Sequence, residues 1–528
     1  MGDTMKQSRT YLTKRNAAAS IVNRVVCLAC NFIGRSVFIR ILGSEYLGAG
    51  GMFGNVFAVL SLVELGFGEA VSQSLYQPLA EENHSRIRDI LAYYAKVYRY
   101  ISLVTIALCT AIVPFLPHIF GDIEKIHRYR AVYLLFAVHQ VLSYYFAPKR
   151  SLVQCDQRMY AVMTVRTVNA LLVTAAQIFF LIGTRSYLIY IFLRILFLAA
   201  DGWFINLYAD RIYPFLSTSP SEEVDDGYKK RVWSGTRSLV LHRIGGVINS
   251  STDSILISSH LGLAHMGTFS NYSLVINSIG SFVALAIGAA SASIGNIGAT
   301  EGEAKSVRVL KNLSFANFIL LTNCAVLLVN LINPFMALWL GEELCFGMTE
   351  TAVIIACFYM SYIRDPVQMY LHSYGVFKST GVLYLARGLL NLILSLIFVR
   401  RFGAVGVFAG TLVSTTLTAF LLEPVLLFRD AFRKSAGSFL KEYTAYPVIS
   451  AILCAGTWFV GTRIDASDAG SMLFRGIAVL LLANLSILML YGKSERFAAV
   501  WRVLCRPGKK KVRIHDISPH SVKRDCCP

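Results

Sequence analysis

Eight arginines of this 528-residue chain lie inside long apolar stretches: Arg24, Arg35, Arg40, Arg166, Arg194, Arg243, Arg364 and Arg387. Six carboxylates share those stretches: Glu64, Glu69, Asp201, Asp253, Asp365 and Glu423. Lysine is absent from them. An ionisable group at the centre of a membrane span costs about 2.5–3.5 kcal/mol, so each needs a partner or a task. Guanidinium is always charged, and its planar fork of donors matches the oxygens of a phosphate. An all-arginine set of cations therefore points to an oxyanion ligand. Groups near span ends can reach the headgroups instead, which sets aside Arg40, Asp201, Arg194 and Glu423. Arg364 and Asp365 adjoin in "YIRDPVQMY", where Pro366 should break the helix.

Catalytic chemistry finds little support. There is no P-loop, no dinucleotide glycine fingerprint and no metal-ligand cluster. The ten histidines are scattered. Cys27 and Cys30 form a C-x-x-C, but within an apolar run and without a second pair, so neither metal nor redox work is expected there. Cys526 and Cys527 near the end read as exposed tail thiols rather than a lipidation site.

The elements that carry these residues must be membrane helices. The chain is 55% apolar, only 15% charged and has a mean hydropathy of +0.55. Its apolar residues come in blocks of roughly 20, the length that crosses a bilayer core. Isolated strands cannot satisfy their backbone in lipid, so the class is all-α and polytopic. Fourteen spans are expected: 17–41, 48–72, 98–119, 130–147, 163–183, 186–208, 236–259, 267–293, 313–335, 351–373, 381–399, 403–428, 443–461 and 471–492. The polar first residues and long first span leave no cleavable signal peptide.

Charge placement supports the map. With the N-terminus in the cytoplasm, about 34 of the 50 Lys and Arg fall on the cytoplasmic side and about 8 outside, as the positive-inside rule requires. The C-terminus is then cytoplasmic too. Without a crossing at 236–259 every later loop would invert, so this polar stretch should span. The net charge of +19 is explained by orientation and by anionic membrane lipid, with no role for nucleic acid.

Residues seven and eleven apart share a helix face within about 20°. Arg24, Asn31 and Arg35 therefore form one stripe, and Arg243, Ser250 and Ser254 another, with Asp253 a quarter-turn away. The two stripes also repeat. "LGSEYLG" and "LGLAHMG" read LG-x-x-[YH]-[LM]-G, and Arg24 and Arg243 each stand 19 residues before the first glycine, Gly43 or Gly262. The expected organisation is two pseudo-symmetric six-helix bundles, 1–208 and 236–428. A cytoplasmic linker 209–235 joins them, two further helices follow in 429–492, and a basic cytoplasmic tail fills 493–528. Parallel repeats of this kind place a substrate site between halves that alternate in access, with Arg24 and Arg243 facing across it.

These motifs, with "NLILSLIFVRRFGAVGVFAGTLVSTTLTAFLLEP", resemble Wzx-type polysaccharide flippases. These form the polysaccharide transporter branch of the multidrug/oligosaccharidyl-lipid/polysaccharide exporter superfamily. The resemblance runs over most of residues 17–430. It implies a flippase, not an enzyme, that moves undecaprenyl-diphosphate-linked oligosaccharide across the bacterial inner (cytoplasmic) membrane by ion-coupled alternating access. The product would be capsule, O-antigen or exopolysaccharide, made by a monomer beside glycan polymerase machinery. The diphosphate and glycan would meet Arg24, Asn31, Arg35, Arg166, Arg243, Ser250, Ser254, Arg364 and Arg387. No cofactor is expected; Na+ or H+ would couple at Glu64 or Asp253. Arg387 departs from the family, where the position four before Asn391 is often acidic.

Three other readings stay open. A lipid II-type peptidoglycan precursor flippase carries the same diphosphate. A multidrug exporter of the same fold would need acids and aromatics in its cavity. A membrane glycan polymerase or ligase would need a large extracytoplasmic loop, whereas the outer loops expected here are short.

Overall fold

The computed structural model describes residues 9–64, 66–120, 122–218, 226–288 and 302–505, and every regular element among them is helical. The remaining residues, with Cys526 and Cys527, the end of the expected span 267–293 and most of the basic tail, lie outside the described part. The principal helices are α1 (Arg9–Leu42), α2 (Ser44–Leu60), α3 (Phe67–Ala80), α4 (His84–Ile112), α5 (Tyr129–Tyr145), α6 (Ala147–Cys155), α7 (Met159–Thr184), α8 (Tyr187–Ile212) and α9 (Asp226–His260). They continue as α10 (Leu263–Gly288), α11 (Glu303–Leu340), α12 (Met348–Tyr362), α13 (Asp365–Ser373), α14 (Phe377–Thr415), α15 (Leu421–Asp430), α16 (Gly437–Gly461), α17 (Ala469–Tyr491) and α18 (Glu495–Cys505).

Ten helices among the described residues are long and apolar enough to cross a membrane, or eleven if the pair α5 and α6, bent by 46°, is one span. The sequence led us to expect fourteen, and three physical features account for the difference. α9 is a continuous helix of 35 residues whose polar residues keep it below the apolar threshold. The expected span 351–373 is broken into α12 and α13, each short, with Pro366 in the first turn after the break. The expected spans 381–399 and 403–428 lie within one apolar stretch, Ser379–Asp430, whose helical structure is interrupted at Gly403. Gly403 takes φ 56 and ψ −132, and the chain reverses there. Ser395 donates to the Val407 carbonyl at 3.1 Å, and Thr411 to Asn391 Oδ1 at 3.1 Å, as in an antiparallel helical hairpin.

The described chain forms two compact bodies that divide at 270/271, within α10. The expected linker 209–235 is partly helical: α8 continues to Ile212 and α9 begins at Asp226. α9 packs on α2 and α3, which places it in the first body.

Among its described residues the first body shows two apolar cores. Phe53, Phe57, Tyr133, Phe136 and Tyr187 centre one; Phe67, Ile90, Tyr94, Tyr98, Tyr144 and Leu152 centre the other. Edge-on ring pairs such as Phe53–Tyr133 at 5.3 Å add about 0.5–1.5 kcal/mol each beyond burial. In the second body α11 packs along α16 and α17, with Phe318 stacked on Tyr446 at 4.6 Å. Phe179, Ile452 and Met489 point outward, as a lipid-facing surface requires.

The repeated glycine motifs share one local structure. Gly43 and Gly262 break the chain at φ 90 and φ 88, a region that favours glycine, and α2 and α10 start directly after them. The last glycine of each motif lies where these two helices cross. A Cβ on Gly48 would overlap the Leu263 carbonyl, and a Cβ on Gly267 would overlap the Ser44 carbonyl. The contact is reciprocal, as a local two-fold axis demands.

Candidate functional site

A cavity of about 460 Å³ opens in the first body between α1, α2, α7 and α8. Its size is within the usual range for a small-molecule pocket. α1 contributes Asn31 and Arg35, α2 contributes Tyr46 and Gly50, α7 contributes Gln177, and α8 contributes Tyr187, Tyr190 and Arg194. Among the described residues no carboxylate lines it. The site is therefore cationic, with two guanidinium groups and an aromatic wall.

Local packing sets these side chains. α1 and α7 lie against each other along their length, with Gly34 facing Thr174. Arg35 Nη1 donates to the Ser270 carbonyl at 2.7 Å, which orients the guanidinium fork. The Arg194 guanidinium stands 6.0 Å from the centre of the Phe136 ring, near the limit for a cation–π contact. Gln177 donates to the Tyr190 carbonyl at 3.1 Å, tying α7 to α8. Phe38 meets Tyr190 at 4.9 Å and Tyr187 at 5.6 Å, both edge-on, and Tyr46 meets Tyr187 at 5.3 Å. Cys27 and Cys30 line the α1 wall as free thiols.

The expected substrate residues separate into four groups. Asn31 and Arg35 line the cavity. Arg24 and Arg166 do not; both side chains are exposed. Arg243 is half-exposed and pairs with Glu69 at 3.1 Å, while Ser250 is exposed and Ser254 buried. Arg364 and Arg387 lie in the second body, almost fully buried among protein partners. Arg364 Nη1 pairs with Glu423 at 2.6 Å, and Arg387 donates to Thr415 Oγ1 at 2.9 Å. Of the two expected coupling acids, Asp253 is half-buried on α9, and Glu64 accepts a hydrogen bond from the Tyr98 hydroxyl.

Two residues set aside as snorkelling, Glu423 and Asp201, behave otherwise. Glu423 is fully buried and paired with Arg364, next to the π-helical turn Thr416–Phe420. Asp201 is buried and paired with Arg150. Arg194 is exposed and lines the cavity. For Asp201 and Glu423, burial against an arginine, not closeness to a span end, decides where the charge goes. A signal for Arg194 was present: Tyr187 and Tyr190 precede it by seven and four residues, which places all three on one face of α8.

The comparisons with known proteins agree with this architecture. Residues 19–177 match the MatE family model. The structure superposes on lipid II flippase MurJ in an inward closed conformation, with a TM-score of 0.64 and 13% identity, over 90% of this chain and 98% of that one. A multidrug resistance MATE family transporter of the MOP superfamily, in an inward-facing conformation, matches at 0.57 and 13% identity, over 77% and 98%. The chain shares the fold of these two proteins. A further match is the MATE multidrug transporter DinF-BH, solved as a complex, at 0.56 and 16% identity, over 81% and 98%. No curated protein sequence matches the chain. The three structures named above are those of transporters or flippases, and the apolar helices make this a multi-pass membrane protein.

Proposed function

We propose that this transporter moves a polyprenyl-diphosphate-linked oligosaccharide, carried on undecaprenyl diphosphate, from the inner to the outer leaflet of a bacterial cytoplasmic membrane. The observation that carries the reading is the cavity with Arg35 and Arg194 in its wall and no carboxylate. An exporter of cationic drugs would need the opposite charge in that place. A diphosphate suits it, because two guanidinium forks can share its oxygens. The tyrosines and Phe38 offer flat apolar faces and hydroxyls, which suit sugar rings. The Wzx resemblance of the glycine motifs selects a glycan repeat unit as cargo, with capsule, O-antigen or exopolysaccharide as the product.

The second reading is a lipid II-type precursor as cargo. It is favoured by the superposition on MurJ over 90% of the chain, and it keeps the same diphosphate. A leaflet assay separates the two. Purified protein in vesicles receives a fluorescent polyprenyl-diphosphate carrying either a neutral oligosaccharide or a peptidyl-muramyl disaccharide. Movement of the first and not the second supports the glycan reading. Movement of neither overturns the diphosphate-lipid reading.

A further inference from the structure

The second body carries a groove whose chemistry is the opposite of the cationic cavity. Its volume is about 920 Å³, and its walls come from α11, α12, the π-helical turn Thr416–Phe420 with α15, and α16. Among the described residues no charged side chain lines it. The hydroxyls in the wall are spent on the protein itself. Ser450 donates to the Tyr359 hydroxyl at 2.8 Å, Thr416 to the Leu412 carbonyl at 2.7 Å and Thr444 to the Leu440 carbonyl at 2.8 Å. A sugar or a phosphate placed here would lose its water and gain no partner, whereas hydrocarbon loses nothing. Ala352, Val448 and Ala451 line the groove and are exposed, so it opens sideways onto the lipid-facing surface.

One end of the groove meets charge. Lys441 precedes Thr444 by three residues and Val448 by seven, so it continues the groove face of α16. The acids nearby are already engaged. Asp430 holds Arg429, Glu303 holds Lys434, and Glu442 holds Arg496 and Lys311. Arg433, in the connection from α15 to α16, and Lys441 are exposed, and among the described residues no ion pair engages either. The distribution of Lys and Arg assigns this end to the cytoplasmic side, where anionic lipids attract basic residues.

We propose that this groove is a binding site for an anionic phospholipid of the inner leaflet, its acyl chain in the groove and its phosphate at Lys441 and Arg433. Length supports this occupant. From Thr444 to Trp458 the groove follows α16 for about 21 Å at 1.5 Å per residue. One leaflet with its headgroups is about 20–22 Å, half of a bilayer of about 40–45 Å. An undecaprenyl chain is much longer than one leaflet. In the reading above its diphosphate is held by Arg35 and Arg194, which leaves Lys441 and Arg433 for a different anion. A phospholipid satisfies the apolar wall and the two cations at once.

The test is native mass spectrometry of the full-length protein in detergent, with phosphatidylglycerol or phosphatidylcholine of the same chains added. The wild type should retain phosphatidylglycerol at concentrations where phosphatidylcholine is lost. Each surface cation contributes about fivefold, so Lys441→Gln combined with Arg433→Gln should weaken retention about ten- to thirtyfold. Ala451→Phe should also weaken it, because an exposed position at the mouth lets the ring enter the groove without displacing protein. Ala455→Phe, one turn further on and also exposed, does the same if the first variant does not fold. A phosphatidylglycerol with a photoreactive diazirine near its chain end should label α12 or α16. Equal retention of the two lipids, unchanged retention in the charge variant or the filled-groove variant, or labelling confined to other helices overturns the proposal. Displacement by an equal amount of polyprenyl phosphate would give the groove to the cargo's tail, and a lipid-free dimer would give it to a second copy; either result also overturns it.

Discussion

Gly48 and Gly267 each press on the backbone of the other's helix. The Cα of Gly48 faces the Leu263 carbonyl, and the Cα of Gly267 faces the Ser44 carbonyl. Ser44 and Leu263 occupy the same place in the two motifs, one residue after a left-handed glycine. The repeat detected in the sequence is thus also a contact: the two copies meet. Small residues allow such close backbone approach between membrane helices, where packing replaces the hydrophobic drive.

Bulk at this crossing should be costly. Gly48→Leu or Gly267→Leu must separate two backbones, and overpacking of this kind costs about 1–3 kcal/mol. Gly54 is the control. It lies on the same helix with nothing within 4 Å of an added Cβ. Gly54→Ala should be neutral or stabilising by up to about 1 kcal/mol. Thermal unfolding of the detergent-purified variants reads the difference. Equal midpoints for Gly48→Leu and Gly54→Ala would remove the crossing from the structure.

How much of this was legible follows from where each signal resides. Apolar blocks, charge parity and the LG-x-x-[YH]-[LM]-G repeat are properties of the chain itself, so the all-α class and the helical character of α9 could be read directly. Helix periodicity puts Arg35 and Asn31 on one face, and the structure places both in the cavity wall, but not Arg24 of the same face. Asp201 and Glu423 were misread because nearness to a span end was taken as nearness to water. Glu423 follows a π-helical turn, and Arg194 sits beyond two tyrosines whose partners, Phe38 and Tyr46, come from other helices. Tertiary partners of that sort have no local sequence pattern.

The two cavity arginines should act together. Charge-assisted hydrogen bonds contribute about 1.5–3 kcal/mol each, so Arg35→Gln or Arg194→Gln should weaken headgroup binding roughly ten- to a hundredfold. Lysine should rescue only in part, since it lacks the planar fork. The check is titration of the reconstituted protein with a short-chain polyprenyl diphosphate. Arg24→Gln, outside this cavity, should leave that affinity within about twofold, a change of under about 0.5 kcal/mol. A larger loss at Arg24 than at Arg194 would move the site.

The pair Arg364–Glu423 should be structural. Both groups are almost completely buried, 2.6 Å apart. Removing one partner of a buried pair costs about 3–5 kcal/mol, whereas replacing both by apolar groups can be neutral. Arg364→Met and Glu423→Leu should each lower the yield of folded protein, and the double variant should recover most of it. Size-exclusion profiles and unfolding midpoints measure this. A double variant no better than the singles would indicate that the charges are needed for more than mutual compensation.

One stability effect should depend on pH. Asp468 caps α17 through Gly470 N–H at 2.7 Å and Ser471 N–H at 3.1 Å. Those donors, that of Ser471 first, hold its carboxyl below the ordinary value of 3.8. The folded form prefers the anion, so the contribution is complete above the unfolded pKa and fades as pH falls through the lower folded one. Asp468→Ala should therefore unfold at a lower temperature than the wild type at neutral pH, with the gap closing in acid below about pH 4. The cap lies in the exposed connection between α16 and α17, so salt should also narrow the gap. Unfolding midpoints of both proteins across the acid range decide it, and a gap that widens in acid would show that the cap is not ionic.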